Sequence, residues 1–112
     1  MKKHILRFRA GDKDEFEDIR VGRKTVETRA GTVKFKKIEV GDTLVIKCGS
    51  DTIEKTVKDI RHYKSVEDIY KSGDFGKVMP GIESLEEAEK VYYGFQGYRE
   101  KIAEHGILAF YL

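Results

Sequence analysis

A chain of 112 residues holds one domain and leaves no room for a second independent core. Lysine and arginine total 22 against 20 aspartates and glutamates, and a net charge of +2 is too even to announce nucleic-acid binding by itself. No apolar run approaches bilayer-spanning length, and the apolar stretch after Met1-Lys2-Lys3 stops at Arg7, too short for a signal peptide, so the expected location is the cytoplasm.

His4 to Arg9 alternates, with Leu6 and Phe8 on one side and Arg7 and Arg9 on the other, which predicts a strand. Asp12 and Glu15 have capping-box spacing, and Phe16 and Ile19 share a face, which predicts a short helix. Gly22 stands where a helix end favours a residue free to take positive φ. Lys24 to Arg29 is rich in threonine and valine and reads as a strand. A turn at Ile38-Glu39-Val40-Gly41-Asp42 leads into the apolar strand Leu44 to Cys48, and Gly49-Ser50-Asp51 makes a hairpin loop into Thr52 to Tyr63. The apolar parity of that last segment changes between Val57 and Ile60, so one long strand with a bulge or bend is expected.

Ser65 with Asp68 opens a short helix carrying Val66, Ile69 and Tyr70, and a glycine-rich loop with the lone Pro80 follows it. Ser84 with Glu87 opens a second helix, on which Leu85, Ala88, Val91, Tyr92 and Phe95 fall near helical period. A further turn or two around Tyr98 to Glu104 ends at Gly106. Ile107 to Leu112 is apolar on both faces, the pattern of an interior strand. This order predicts a single α+β domain over residues 1–112, a small, mostly antiparallel β-barrel with flanking helices.

The segment Gly22-x-Lys24-x-x-Glu27-x-Arg29 resembles the motif of the ASCH family, small domains of the PUA-like superfold. The Val40-Gly41-Asp42 turn, the run Tyr63-Lys64-Ser65-Val66-Glu67 before a helix, and the closing Gly106-Ile107-Leu108-Ala109 agree with it. The resemblance covers nearly the whole chain. It implies a PUA-like barrel, RNA or a modified nucleoside as partner, and a role in RNA metabolism or translation-linked regulation. Some small ASCH proteins hydrolyse the acyl group of N4-acetylcytidine with a lysine, a threonine and a glutamate. Lys24 falls at the position of that lysine, but Glu27 stands where the threonine would be. The glutamate has no secure counterpart, Asp74 and Glu83 being the nearest acids. The resemblance thus supplies one catalytic residue of three, and an amidohydrolase would need Glu27 as general base in place of the threonine.

On an extended strand Thr25, Glu27 and Arg29 share a face, while Lys24 sits at the strand's entrance, where parity is weak. Lys24 and Arg29 suit a phosphate, a carboxylate or a polarised carbonyl, Arg29 in bidentate geometry. Glu27 suits a nucleobase amine or a water, and two flanking cations are expected to keep it ionised. Thr25 offers a hydroxyl with no adjacent base. Without the resemblance, the same charges read as a strand-stiffening ion pair of Glu27 with Arg29 or Lys24. With it, they read as a ligand cleft, with Tyr93 and Tyr98 available to stack on a base and Tyr92 and Phe95 in the core.

Lys34-Phe35-Lys36-Lys37 with Arg7, Arg9, Arg20 and Arg23 reads either as a basic face around an aromatic or as a solvated surface. His4, His62, His105 and Cys48 lack metal-ligand spacing, so neither a metal nor another cofactor is expected. Cys48 has no partner for an internal disulfide and reads as a small core residue. The chain has no asparagine and one glutamine, Gln96, with abundant lysine and glutamate, which is a hyperthermophile signature. Three readings of function result: an RNA- or nucleoside-binding domain, an amidohydrolase on acylated nucleosides, and a protein-interaction module without chemistry.

Overall fold

In the computed structural model, which describes residues 1–112, the first strand β1 runs Lys3–Phe8 with Leu6 buried. A 3-10 turn over Ala10–Asp12 leads into α1, Lys13–Arg20, whose buried residues are Phe16 and Ile19. The Asp12 carboxylate does not cap this helix; it accepts the Arg9 Nε–H at 3.1 Å. Gly22, at φ +87°, reverses the chain into β2, Val26–Ala30. A one-turn helix, α2, Val33–Lys36, precedes the hairpin of β3, Thr43–Cys48, and β4, Asp51–Thr56.

The expected long strand from Thr52 to Tyr63 is two strands, β4 and β5, Asp59–Tyr63. Between them Val57 exchanges backbone hydrogen bonds with the Gly41-Asp42 turn, whereas the Lys58 N–H donates to the Tyr111 carbonyl at 2.7 Å. Neighbouring residues therefore belong to different ladders. The parity change marks the crossing from one sheet to another.

Helix α3, Val66–Lys71, is capped as its sequence predicts, Ser65 Oγ accepting the Asp68 N–H at 3.1 Å. The glycine-rich loop contains a one-turn helix, α4, Phe75–Val78, which buries both of its end residues. Ser84 Oγ accepts the Glu87 N–H at 3.2 Å to open α5, Leu85–Gly94, and α6, Tyr98–His105, follows. Strand β6, Ile107–Tyr111, closes the fold.

The strands pair in two three-stranded sheets, β1-β3-β4 and β2-β6-β5. Only β1 and β3 run parallel; the other pairs are antiparallel. The architecture is α+β and mostly antiparallel, with no ladder joining the two sheets into a closed ring. Strand β6 is interior, as its two apolar faces predict, and it divides the core. Ile107 and Ala109 pack with Ile69 and Tyr92 against the helices, while Leu108 and Phe110 pack with Phe16, Leu44 and Ile46 between the sheets. Cys48 is free and buried on the second side. No helix is long and apolar enough to cross a membrane.

Candidate functional site

Strands β1 and β2 lie at the ends of their sheets, each with one free edge, and a cavity of about 200 Å³ opens between them. Arg7, Phe8 and the following Arg9 line one side, and Glu27, Thr28 and Arg29 the other. Asp12 and Glu15 enter from the start of α1. Tyr92, Phe95 and Tyr98 supply an aromatic wall, with Met79 beside them. An edge strand presents its rim as well as its faces, which is why consecutive residues of β2 reach one cavity.

Lys24 packs against Glu27 and is 1 % exposed. Its Nζ donates to the Val26 carbonyl at 2.9 Å and to the Val78 carbonyl, and it stands 3.4 Å from Glu27 Oε1. Two carbonyls and a carboxylate thus surround the ammonium, and the side chain ties the start of β2 to the end of α4. Thr25 makes a second tie through its backbone: its N–H donates to Lys77 and its carbonyl accepts from Leu112. Neither Lys24 nor Thr25 lines the cavity.

Glu27 is 3 % exposed and sits between two cations. Its Oε1 accepts the Thr28 N–H and its Oε2 accepts an Arg29 Nη1–H, both at 2.9 Å. Arg29 also donates to the Thr28 carbonyl at 3.1 Å, with its guanidinium 5.2 Å from the centre of the Phe8 ring. Burial pushes the Glu27 carboxyl up, but the Arg29 and Lys24 charges and the Thr28 N–H outweigh it and hold the group below the usual carboxylate range. Burial likewise opposes the Arg29 charge, and Glu27 more than restores it. The ion pair expected from the sequence therefore exists, and its Arg29 side forms part of the cavity. Glu27 is an ionised acceptor with its partners in place, a poor base for taking a proton.

Tyr92 is nearly buried, as expected of a core residue, yet its hydroxyl meets Thr28 Oγ1 at 2.6 Å on the cavity wall. Burial pushes its phenol far up, so it keeps its proton. Phe95 and Tyr98 pack with ring centres 5.2 Å apart, and Arg9 covers the Phe95 ring at 5.0 Å. Tyr98 thus stands at the cavity, as does Phe95, which the helical period assigns to the core. Tyr93 lies outside it, beneath the Arg99 guanidinium at 4.2 Å. One residue along a helix is a turn of roughly 100°, so Tyr92 and Tyr93 cannot share a wall.

Asp74 and Glu83 lie elsewhere. Asp74 accepts the Tyr111 hydroxyl at 2.8 Å and faces Lys77 and Arg61, and the Glu83 carbonyl accepts from Tyr70. Two cavity acids lie outside the motif, Asp12, which pairs with Arg9, and Glu15, which has no ion pair. Burial raises the Glu15 carboxyl, an effect the Lys24 charge partly offsets and the nearby Glu27 and Asp12 reinforce. Its place was partly legible: Glu15 is four residues before the buried Ile19 and so borders the inward stripe of α1. Capping-box spacing gave it another role instead.

The basic residues divide in the same way. Arg20 pairs with Glu17, Arg23 with Asp18 and Arg9 with Asp12, while Arg7 at the cavity mouth has no ion pair. Arg7 and Arg29 also line a second groove, which takes in Lys34 and Phe35. No three His, Cys, Asp or Glu side chains are grouped to hold a metal ion.

No family model and no curated protein matches the chain. Among solved structures it is similar to the crystal structure of hypothetical protein PH0355, with a TM-score of 0.84 and 29 % identity over 99 % of this chain and 96 % of that one. It is also similar to the solution structure of protein PF0455 from Pyrococcus furiosus, with a TM-score of 0.74 and 28 % identity over 99 % and 94 % of the two chains. Neighbours of matching length, one of them from Pyrococcus furiosus, are compatible with a small archaeal protein.

Proposed function

We propose that this chain is an ASCH-type domain, its two sheets an opened PUA-like barrel, that binds one nucleobase of an RNA or of a modified nucleoside in the cavity between β1 and β2. The observation that carries this reading is the pairing of an aromatic wall, Phe95 and Tyr98, with the charged Glu27–Arg29 edge in one cleft. Aromatic stacking holds the face of a base and charged groups read its edge. Size agrees: an apolar cavity of about 150 Å³ takes benzene, so about 200 Å³ suits a base and leaves the sugar and phosphate at the mouth. Titration of a short fluorescent single-stranded RNA tests it. Binding should weaken with added salt and by about 1–3 kcal/mol in Tyr98→Ala, the usual value of one base–aromatic stack. Unchanged affinity in that variant removes the cavity as the site.

The amidohydrolase reading has less support, because Lys24 is buried behind Glu27 with its ammonium surrounded by protein acceptors. In its favour, Glu15 lines the cleft with its carboxyl raised by burial, the direction that suits a proton-transfer group. Incubation with N4-acetylcytidine and chromatography for free cytidine distinguishes the two readings; turnover would displace simple binding.

A further inference from the structure

Most hydrogen-bonding groups of the cavity are already engaged within the protein. Arg9 holds Asp12, Arg29 and the Thr28 N–H hold Glu27, and the Thr28 hydroxyl meets that of Tyr92. Two charged side chains of opposite sign remain without a hydrogen bond or ion pair: Glu15 on α1 and Arg7 on β1. The charges nearest in effect to Glu15 are those of Lys24, Glu27, Asp12 and Arg29, and no ion pair joins it to Arg7. An acid and a base line one cleft, each free, with aromatic rings beside them.

Their chemistry selects among bases. A carboxylate offers two coplanar acceptors and fits two adjacent N–H donors. Guanine is the neutral base with that edge, its N1–H beside its 2-amino group. Cytosine and adenine place a bare ring nitrogen next to the amine, and uracil flanks its N–H with two carbonyls. A free guanidinium fits the opposite kind of edge and pairs in bidentate fashion with guanine O6 and N7. We propose that the cavity selects guanine, with Glu15 accepting from N1–H and the 2-amino group and Arg7 donating to the O6/N7 edge. This rests on the base-binding reading above and names the base.

The ionised carboxylate is the form that accepts two N–H groups, so guanine binding weakens as Glu15 gains its proton. Glu15 faces Lys24, Glu27 and Arg29 from β2 and its approach, Asp12 from its own helix start and the Tyr92 hydroxyl from α5, and Arg7, Arg9 and Tyr98 line the same cavity. Burial raises its carboxyl, so that loss sets in at a higher pH than it would for an exposed glutamate.

Calorimetric titration of the intact protein with guanosine, inosine, adenosine, cytidine and uridine tests the assignment. Guanosine should bind about tenfold or more tightly than the others, the discrimination expected of a bidentate contact. Inosine, lacking only the 2-amino group, should lose most of that margin. Glu15→Gln presents one donor and one acceptor, so it should abolish the guanosine preference, favour adenosine or cytidine, and remove the acid sensitivity. Arg7→Ala should weaken guanosine and inosine, which share the O6/N7 edge, and leave the other three unchanged. A preference for another nucleoside, or a guanosine preference that survives Glu15→Gln, overturns the guanine assignment and leaves base binding standing. Failure of every nucleoside and of single-stranded RNA to bind overturns both.

Discussion

Lys24 carries its charge into a place where water does not follow, and the consequence is energetic before it is functional. Lys24→Ala would leave the Val26 and Val78 carbonyls without their donor and Glu27 with a single cation. Removing one member of a buried charged cluster costs about 3–5 kcal/mol, so a large drop in the urea midpoint is expected. Asp42 is the acid-sensitive counterpart. Its carboxylate meets the His4 ring at 2.8 Å and accepts the Glu39 and Lys2 backbone N–H groups, which together hold its pKa at about 2. A pKa lowered on folding gives stability that is complete above the ordinary carboxylate value of about 4 and lost as pH falls through about 2. Urea unfolding across that acid range should show the loss, and Asp42→Asn should flatten it. At this scale the Glu27–Arg29 pair was legible because alternation on a strand brings such charges together. The inward turn of Lys24 was not, since its acceptor at Val78 is 54 residues away along the chain.

Elements whose ends are set locally were the easiest to read. Ser65 and Ser84 cap α3 and α5 through contacts three residues long, and each replacement by alanine should cost about 1 kcal/mol in thermal unfolding. Helix α4 escaped notice because four residues cannot sustain a helix by themselves; burial of Phe75 and Val78 holds it in place. Gly106 shows both sides of the matter. Its role in stopping α6 is written locally, but its second constraint is not: at φ +72°, a Cβ would stand 2.5 Å from His62 Nε2 and 2.6 Å from the Tyr63 carbonyl. Gly106→Ala should therefore cost more than the roughly 1–3 kcal/mol of backbone strain alone, visible as a depressed melting temperature.

For the whole molecule, hydrophobic alternation indicated which side chains face inward but not which strands are neighbours. The interior position of β6 followed from its composition. The parallel pairing of β1 with β3, some 40 residues apart, depends on contacts that no local pattern encodes, and of the division into two sheets only the parity change after Val57 is a local sign. Because β6 feeds both cores, the two should be lost together. Phe110→Ala should cost about 3–5 kcal/mol in a single transition, and β6 amides should be among the slowest to exchange with solvent.

The opening between β1 and β2 has a consequence for how such a fold can change its ligand. Strands joined by a ladder are held near 4.8 Å by their hydrogen bonds, a ruler that no side chain can reset. Across the cavity there is no such ruler. Its width is measured out by Phe8, Arg29, Phe95 and Tyr98, so exchanging one side chain for a longer or shorter one retunes the aperture while every backbone pairing stays as it was.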